Sequence, residues 1–154
     1  MGAEIWDVNR FGPLTEDRLV AFESELGASF PDEYRAFLLQ HNGGVPNRGT
    51  FNIPGEDGGE RPFHCFFALH DAPWNDSTPE GSQGFPLQAA LADFRADGGP
   101  AEVLPVGKDW SGSYVCVGLA GNDRGQVLYY DHGTEQLVRL ADSLAAFVAG
   151  LREP

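Results

Sequence analysis

No apolar run in this 154-residue chain exceeds six residues, Leu144 to Ala149. A membrane-spanning helix needs about 20, so no such span is expected. Basic residues are also few. Ten Lys and Arg, only one of them Lys, stand against 23 Asp and Glu, for a net charge of -13. The acids are spread out: residues 1–77 hold 13 acids and 5 bases, and residues 78–154 hold 10 and 5. Phosphate contacts require clustered Lys and Arg, so direct nucleic-acid binding is not expected, and an anionic membrane surface is disfavoured for the same reason. A basic macromolecular partner fits the charge, because opposite fields speed encounter; acidity that serves solubility alone fits it too.

Cysteine is scarce. Cys65 and Cys116 lie far apart, outside any Cys-x-x-Cys pair and each inside an apolar run, which suits small buried hydrophobes. The chain opens Met1-Gly2-Ala3-Glu4 with no basic stretch leading into an apolar one. The expectation is therefore no signal peptide, a cytoplasmic location and no disulfide. Metal and cofactor signatures are missing as well. His41, His64, His70 and His132 form no His-Glu-x-x-His, and no Gly-x-Ser-x-Gly or Gly-Lys-Ser/Thr phosphate loop occurs. Neither a metal, nor a cofactor, nor an enzyme activity is expected.

Apolar residues make up 42% of the chain, enough for one core, and the length suits a single domain over 1–154. Thr15 reads as an N-cap for a helix with Leu19, Phe22 and Leu26 on one face and Gly27 as its stop. Pro31 opens a second helix with Tyr34, Phe37, Leu38 and His41 on one side, ending at Asn42-Gly43. A third is predicted over Leu87 to Arg95, and a last over Asp142 to Leu151 with Asp142 as N-cap. Strands are predicted at Thr50 to Ile53, Phe63 to Leu69, Glu102 to Val106, Ser113 to Leu119, Gln126 to Asp131 and Glu135 to Leu140, the last three as a meander. Pro105 places its strand at an edge or a strand end. The fold class is α+β, an antiparallel sheet with N- and C-terminal helices covering one face. On that reading, at most one of Tyr129 and Tyr130 faces the core. Loops 54–62 and 71–85 are long enough to be functional or simply mobile.

Several of these stretches form a series. Phe30-Pro31-Asp32-Glu33-Tyr34-Arg35-Ala36-Phe37-Leu38 runs into Asn42-Gly43-Gly44. Leu104-Pro105-Val106-Gly107-Lys108-Asp109-Trp110-Ser111-Gly112-Ser113 leads into a strand. Gly125 to His132 ends in an aromatic and acidic cluster, and Leu140 to Val148 carries the last helix. Together they resemble the SMI1/KNR4 family of the SUKH superfamily, with Phe30 where that family usually has Leu and Leu144 where it commonly has Phe. The resemblance covers roughly residues 19–44 and 104–151; residues 54–100 carry little of it. It implies an α+β fold and, in bacteria, an immunity protein that neutralises a secreted toxin, often a nuclease, by stoichiometric binding. Fungal members are regulatory interaction proteins, so a regulatory scaffold is the alternative. No catalytic residues come with the family.

The residues that suit partner binding are aromatic anchors with acids near them. Trp is enriched at interface hot spots. Trp74 lies in a polar loop, and Trp110 reads equally as an anchor or as a side chain folded over the sheet. With them stand Asp57, Glu60, Asp71, Asp76, Asp109 and Asp131, matched to a basic toxin surface, although each acid taken alone reads as a solvated charge. The chain is expected to be a monomer or a weak dimer. A concave pocket with convergent His70, Asp71, His132 or Asp131 would instead favour an enzyme.

Overall fold

The computed structural model describes residues 4–6, 12–55, 59–71 and 86–153. Helix α1 spans Glu16–Leu26. Thr15 caps it, accepting from the Arg18 N–H, and Gly27 closes it in the left-handed region at φ 77°. Helix α2, Asp32–His41, begins after Pro31 and ends at Asn42, also left-handed at φ 40°. Two short strands, β1 (Ile5–Trp6) and β2 (Val45–Pro46), pair separately.

A six-stranded antiparallel sheet follows in simple chain order: β3 (Thr50–Asn52), β4 (Glu60–Phe66), β5 (Val103–Asp109), β6 (Tyr114–Gly118), β7 (Val127–Asp131) and β8 (Gln136–Ala141). Helix α3, Leu87–Ala96, sits between β4 and β5 in the chain, and α4, Leu144–Ala149, follows β8. The cap of α4 is Ser143, which accepts from the Ala146 N–H. Asp142 was the expected cap; it instead pairs with Arg139 at 2.7 Å.

Three sequence expectations change in the fold. Strand β5 is an interior strand between β4 and β6. Its proline is tolerated because the β5–β6 register shifts between Pro105 and Gly107, and on the β4 side the bonding runs out just before it, with the Phe67 N–H donating to the Val106 carbonyl at 2.9 Å. Second, the sheet is covered on both faces. Val106, Val115, Val117, Val127 and Tyr129 join the large cluster, which takes in α1, α2, α4 and also Leu87, Ala90 and Leu91 of α3, whereas Val103, Cys116, Leu128 and Tyr130 form a second cluster with Phe94 of α3. Third, Tyr129 and Tyr130 are therefore both buried, at 2% exposure each. The Phe94 ring meets Tyr114 and Tyr130 edge-on at 5.2 and 5.0 Å.

The Asn-Gly-Gly segment after α2 ties the helical layer to the sheet. Asn42 Oδ1 accepts the Leu69 N–H at 2.8 Å, and Asn42 Nδ2 donates to the Leu69 and Gly12 carbonyls. Gly43 favours glycine because its φ of 99° is one that side-chain-bearing residues rarely adopt, and a Cβ there would also crowd that of Ala68 at 3.0 Å. Buried Glu23 holds the α1–α2 corner. It accepts the Phe30 N–H at 2.6 Å and the Arg35 guanidinium at 3.1 Å. From the far side, Arg124 reaches the Ser29, Phe30 and Leu119 carbonyls.

Asn42→Ala leaves the buried Leu69 amide and carbonyl without their partner and places a Cβ-bearing residue with no local bond in the left-handed region. Urea unfolding is expected to show a loss of about 2–3 kcal/mol. Asn42→Gly, which restores the backbone freedom alone, should lose about 1 kcal/mol less.

Candidate partner-binding surface

The chain turns from β5 into β6 at the end of the sheet where β4 begins. Asp109 is 1% exposed, and its carboxylate organises that turn. Oδ1 accepts the Ser111 N–H at 2.9 Å, the Ser111 hydroxyl at 2.7 Å and the Ser113 N–H at 3.0 Å. Oδ2 accepts the Tyr129 hydroxyl at 2.5 Å. Burial, then the hydrogen bond to Asp109, raises the Tyr129 pKa. These bonds leave Asp109 facing its own backbone, so it supports the turn from beneath and has no surface to offer a partner.

Trp110 takes the outward position. It is 65% exposed, the most exposed large apolar side chain among the described residues. Its ring stacks on His64 at 3.7 Å between centroids with planes 17° apart, and its backbone N–H donates to the Pro62 carbonyl at 3.1 Å. The two readings left open for Trp110 combine in this geometry: one face lies on the sheet's His64 and the other is free to contact a partner. His64 itself is buried. Desolvation, and then the Lys108 charge, lower its pKa to about 4, which keeps the supporting ring neutral near pH 7.

Two more of the sequence candidates lie at this end. Glu60 starts β4 and pairs with Arg152 at 2.6 Å. Asp131 ends β7 and caps its own turn, accepting the Gly133 N–H at 2.8 Å and the Thr134 N–H at 3.3 Å. Next to it, the Ser113 hydroxyl and His132 Nδ1 are 2.8 Å apart. Asp71 lies toward the opposite end, where Arg18 of α1 holds it at 3.2 Å and lowers its pKa. Asp57, Trp74 and Asp76 fall outside the described residues.

The pairs His70–Asp71 and Asp131–His132 thus sit at opposite ends of β4 and β7 and do not converge. Burial pushes the Cys65 thiol up to about 12 and raises Cys116 as well, which suits packing and not nucleophilic attack. Among the described residues, no three His, Cys, Asp or Glu side chains gather as a metal site, and no helix is long and apolar enough to cross a membrane. A separate apolar groove of about 650 Å³ lies between α2 and α4, lined by Ile5, Ala36, Phe37, Leu144 and Val148 with Glu4 and Glu33 on its wall.

Sequence reasoning singled out Trp110 as a candidate and passed over His64, on which its ring stacks. The adjacency of the two comes from the β4–β5 register, in which Phe63 pairs with Asp109. Nothing in the local sequence marks it.

The sequence profile of the SMI1/KNR4 family (SUKH-1) matches residues 13–150, nearly the whole described chain. Among curated proteins, the chain is similar to an SPbeta prophage-derived uncharacterized protein, YokK, of Bacillus subtilis strain 168. The two are 26% identical over 161 residues, covering 94% of this chain and 79% of that protein.

The His64 burial carries a pH consequence. In the unfolded chain the imidazole takes up its proton near 6.5, and in the folded protein only near 4. Between those values the unfolded state binds more protons, so stability rises with pH and falls as the solution is acidified from about 6.5 toward about 4. Denaturant titrations at about pH 5 and about pH 7 should show that loss, and His64→Gln should flatten this part of the profile.

Proposed function

The chain belongs to the SMI1/KNR4 (SUKH-1) family, and from that premise we propose that it is a bacterial immunity protein. It acts in the cytoplasm by stoichiometric binding, neutralising a cognate toxin domain, a basic nuclease, and it performs no chemistry of its own. The observation that carries this reading is Trp110. A large aromatic side chain lies 65% exposed on a turn that Asp109 locks and His64 backs. Such a residue is presented with little conformational freedom left to lose, which is the property of an interface anchor.

Charge supplies the second part. At -13 the protein attracts a basic surface and accelerates encounter, and the anchor then sets how slowly the complex parts. Glu60 and Asp131 flank the anchor at the same end of the sheet. Asp71 would contact only a partner that extends along the sheet toward α1. Covering the toxin's active site or substrate groove requires no reactive group on this chain, and the buried cysteines and separated histidines agree with that.

Co-expression with the toxin domain encoded beside it should rescue growth and yield a one-to-one complex. Trp110→Ala should raise the dissociation constant by about 30-fold, about 2 kcal/mol, while leaving the melting temperature nearly unchanged. The association rate should fall steeply as salt rises. A toxin that is neutralised equally by the Trp110→Ala protein would move the anchor elsewhere. A chain with no toxic neighbour and no complex would favour a regulatory scaffold.

A further inference from the structure

The two edges of the six-stranded sheet are treated differently. At β3 the chain closes its own edge: the Thr50 N–H donates to the Arg152 carbonyl at 2.9 Å, and the Arg152 N–H donates back to Thr50 at 3.1 Å. At β8, Gln136–Ala141, no strand or bridge among the described residues pairs with the outer side.

The register decides which backbone groups that open edge presents. The Gly118 N–H donates to the Gln126 carbonyl. By alternation, residues 126, 128 and 130 direct their backbone groups to β6, and 127, 129 and 131 direct theirs to β8. The Glu135 N–H donating to the Asp131 carbonyl at 2.7 Å agrees. Because Tyr129 pairs with Val138 and Asp131 with Gln136, Gln136 and Val138 bond inward. Leu137 and Arg139 therefore turn their N–H and C=O groups outward.

Natural edges are commonly blunted by proline, lysine or a bulge. Residues 136–139 have no proline and no lysine, and the β7–β8 irregularity lies beyond Arg139, between Val127 and Leu128. Leu137 is 38% exposed on this strand. Its one charge, Arg139, is turned onto Asp142 at 2.7 Å.

We propose that this edge pairs with itself: two copies of the chain join β8 to β8, antiparallel, about a two-fold axis at Val138. In that register Leu137 stands opposite Arg139 of the second copy, and each exchanges its outward N–H and C=O with the other. Within 136–141 there is no acid, so this is a stretch of a strongly acidic chain where two copies meet without carboxylate facing carboxylate. The two-fold closes the assembly through this sheet, because the other edge of the six-stranded sheet is β3, where Arg152 pairs with Thr50. The pairing leaves the Trp110 turn unused, and it does not depend on the identity of any toxin. Its salt response is opposite in sign to toxin steering. Two copies of net charge -13 repel at long range, so screening should strengthen the dimer.

Sedimentation equilibrium on the full chain, up to about 1 mM protein in about 0.05 M and about 0.5 M salt, should show a monomer–dimer equilibrium that tightens with salt. Amide hydrogen exchange should show Leu137 and Arg139 gaining protection as concentration rises, with Gln136 and Val138 protected throughout. Leu137→Lys, which sets a cation opposite Arg139 of the second copy, should weaken the dimer at least tenfold. Leu137→Pro, which removes only an outward N–H, should abolish it. A chain that stays monomeric at the highest concentration overturns the proposal. So does a dimer that the Leu137→Lys protein forms equally well, or concentration-dependent protection at amides other than these two.

Discussion

Burying a carboxylate costs desolvation, and the Asp109 side chain recovers it only because donors from its own turn and from β7 converge on both oxygens. That convergence sets the geometry of one whole end of the sheet. The β5–β6 turn cannot open without stranding the Asp109 oxygens, and Tyr129 ties the turn to β7 two strands further along in the chain. Trp110 is presented because its neighbour is anchored. The exposed side chain and the buried one are consecutive residues with opposite roles.

The rest of the architecture supplies a rigid platform for that end. A sheet covered on one face alone would leave Leu128 and Tyr130 against water. Helix α3 instead lays Phe94 over them, while α1, α2 and α4 pack on the other face. The helical layer is held by polar links as well as by apolar packing. Asn42 joins α2 to the end of β4, Glu23 joins α1 to α2, and Glu33 accepts the Leu144 N–H to join α2 to α4. Each of these is a buried or half-buried polar group whose loss would leave a backbone partner unsatisfied, so they specify one arrangement of the helices over the sheet.

The proposed function, binding, places its demands on the surface and not on reactive groups. It needs a rigid frame and adjustable side chains outside it. Here the family motifs fall on the frame. Asn42-Gly43-Gly44 clamps α2 to β4, and Asp109 to Ser113 makes the locked turn. The long-range field of the acidic chain is spread over the whole surface, so it can speed encounter without specifying a contact, and local geometry must do the specifying.

The starts and stops of α1 and α2 were legible in the sequence because they are local. Thr15, Gly27, Pro31 and Asn42 act within a few residues of themselves. The six sheet strands and the meander of the last three were legible for the same reason, from short apolar runs and turn residues, whereas the interior place of β5 was not. Exposure of Trp110 and burial of Asp109 were not, because both follow from which strand lies beside β5. Two-sided coverage of the sheet depended on where α3 docks, which no period within Leu87–Ala96 encodes. Arg124 bonds to carbonyls more than 90 residues away in the chain, and the β8 edge is open because no other described segment pairs with it. Composition and local pattern determined the elements and the acidity, and the series of motifs carried the resemblance to the family. Tertiary packing alone decided which acid is structural, which tryptophan is presented and which edge remains unpaired, since burial and adjacency are properties of the assembled chain.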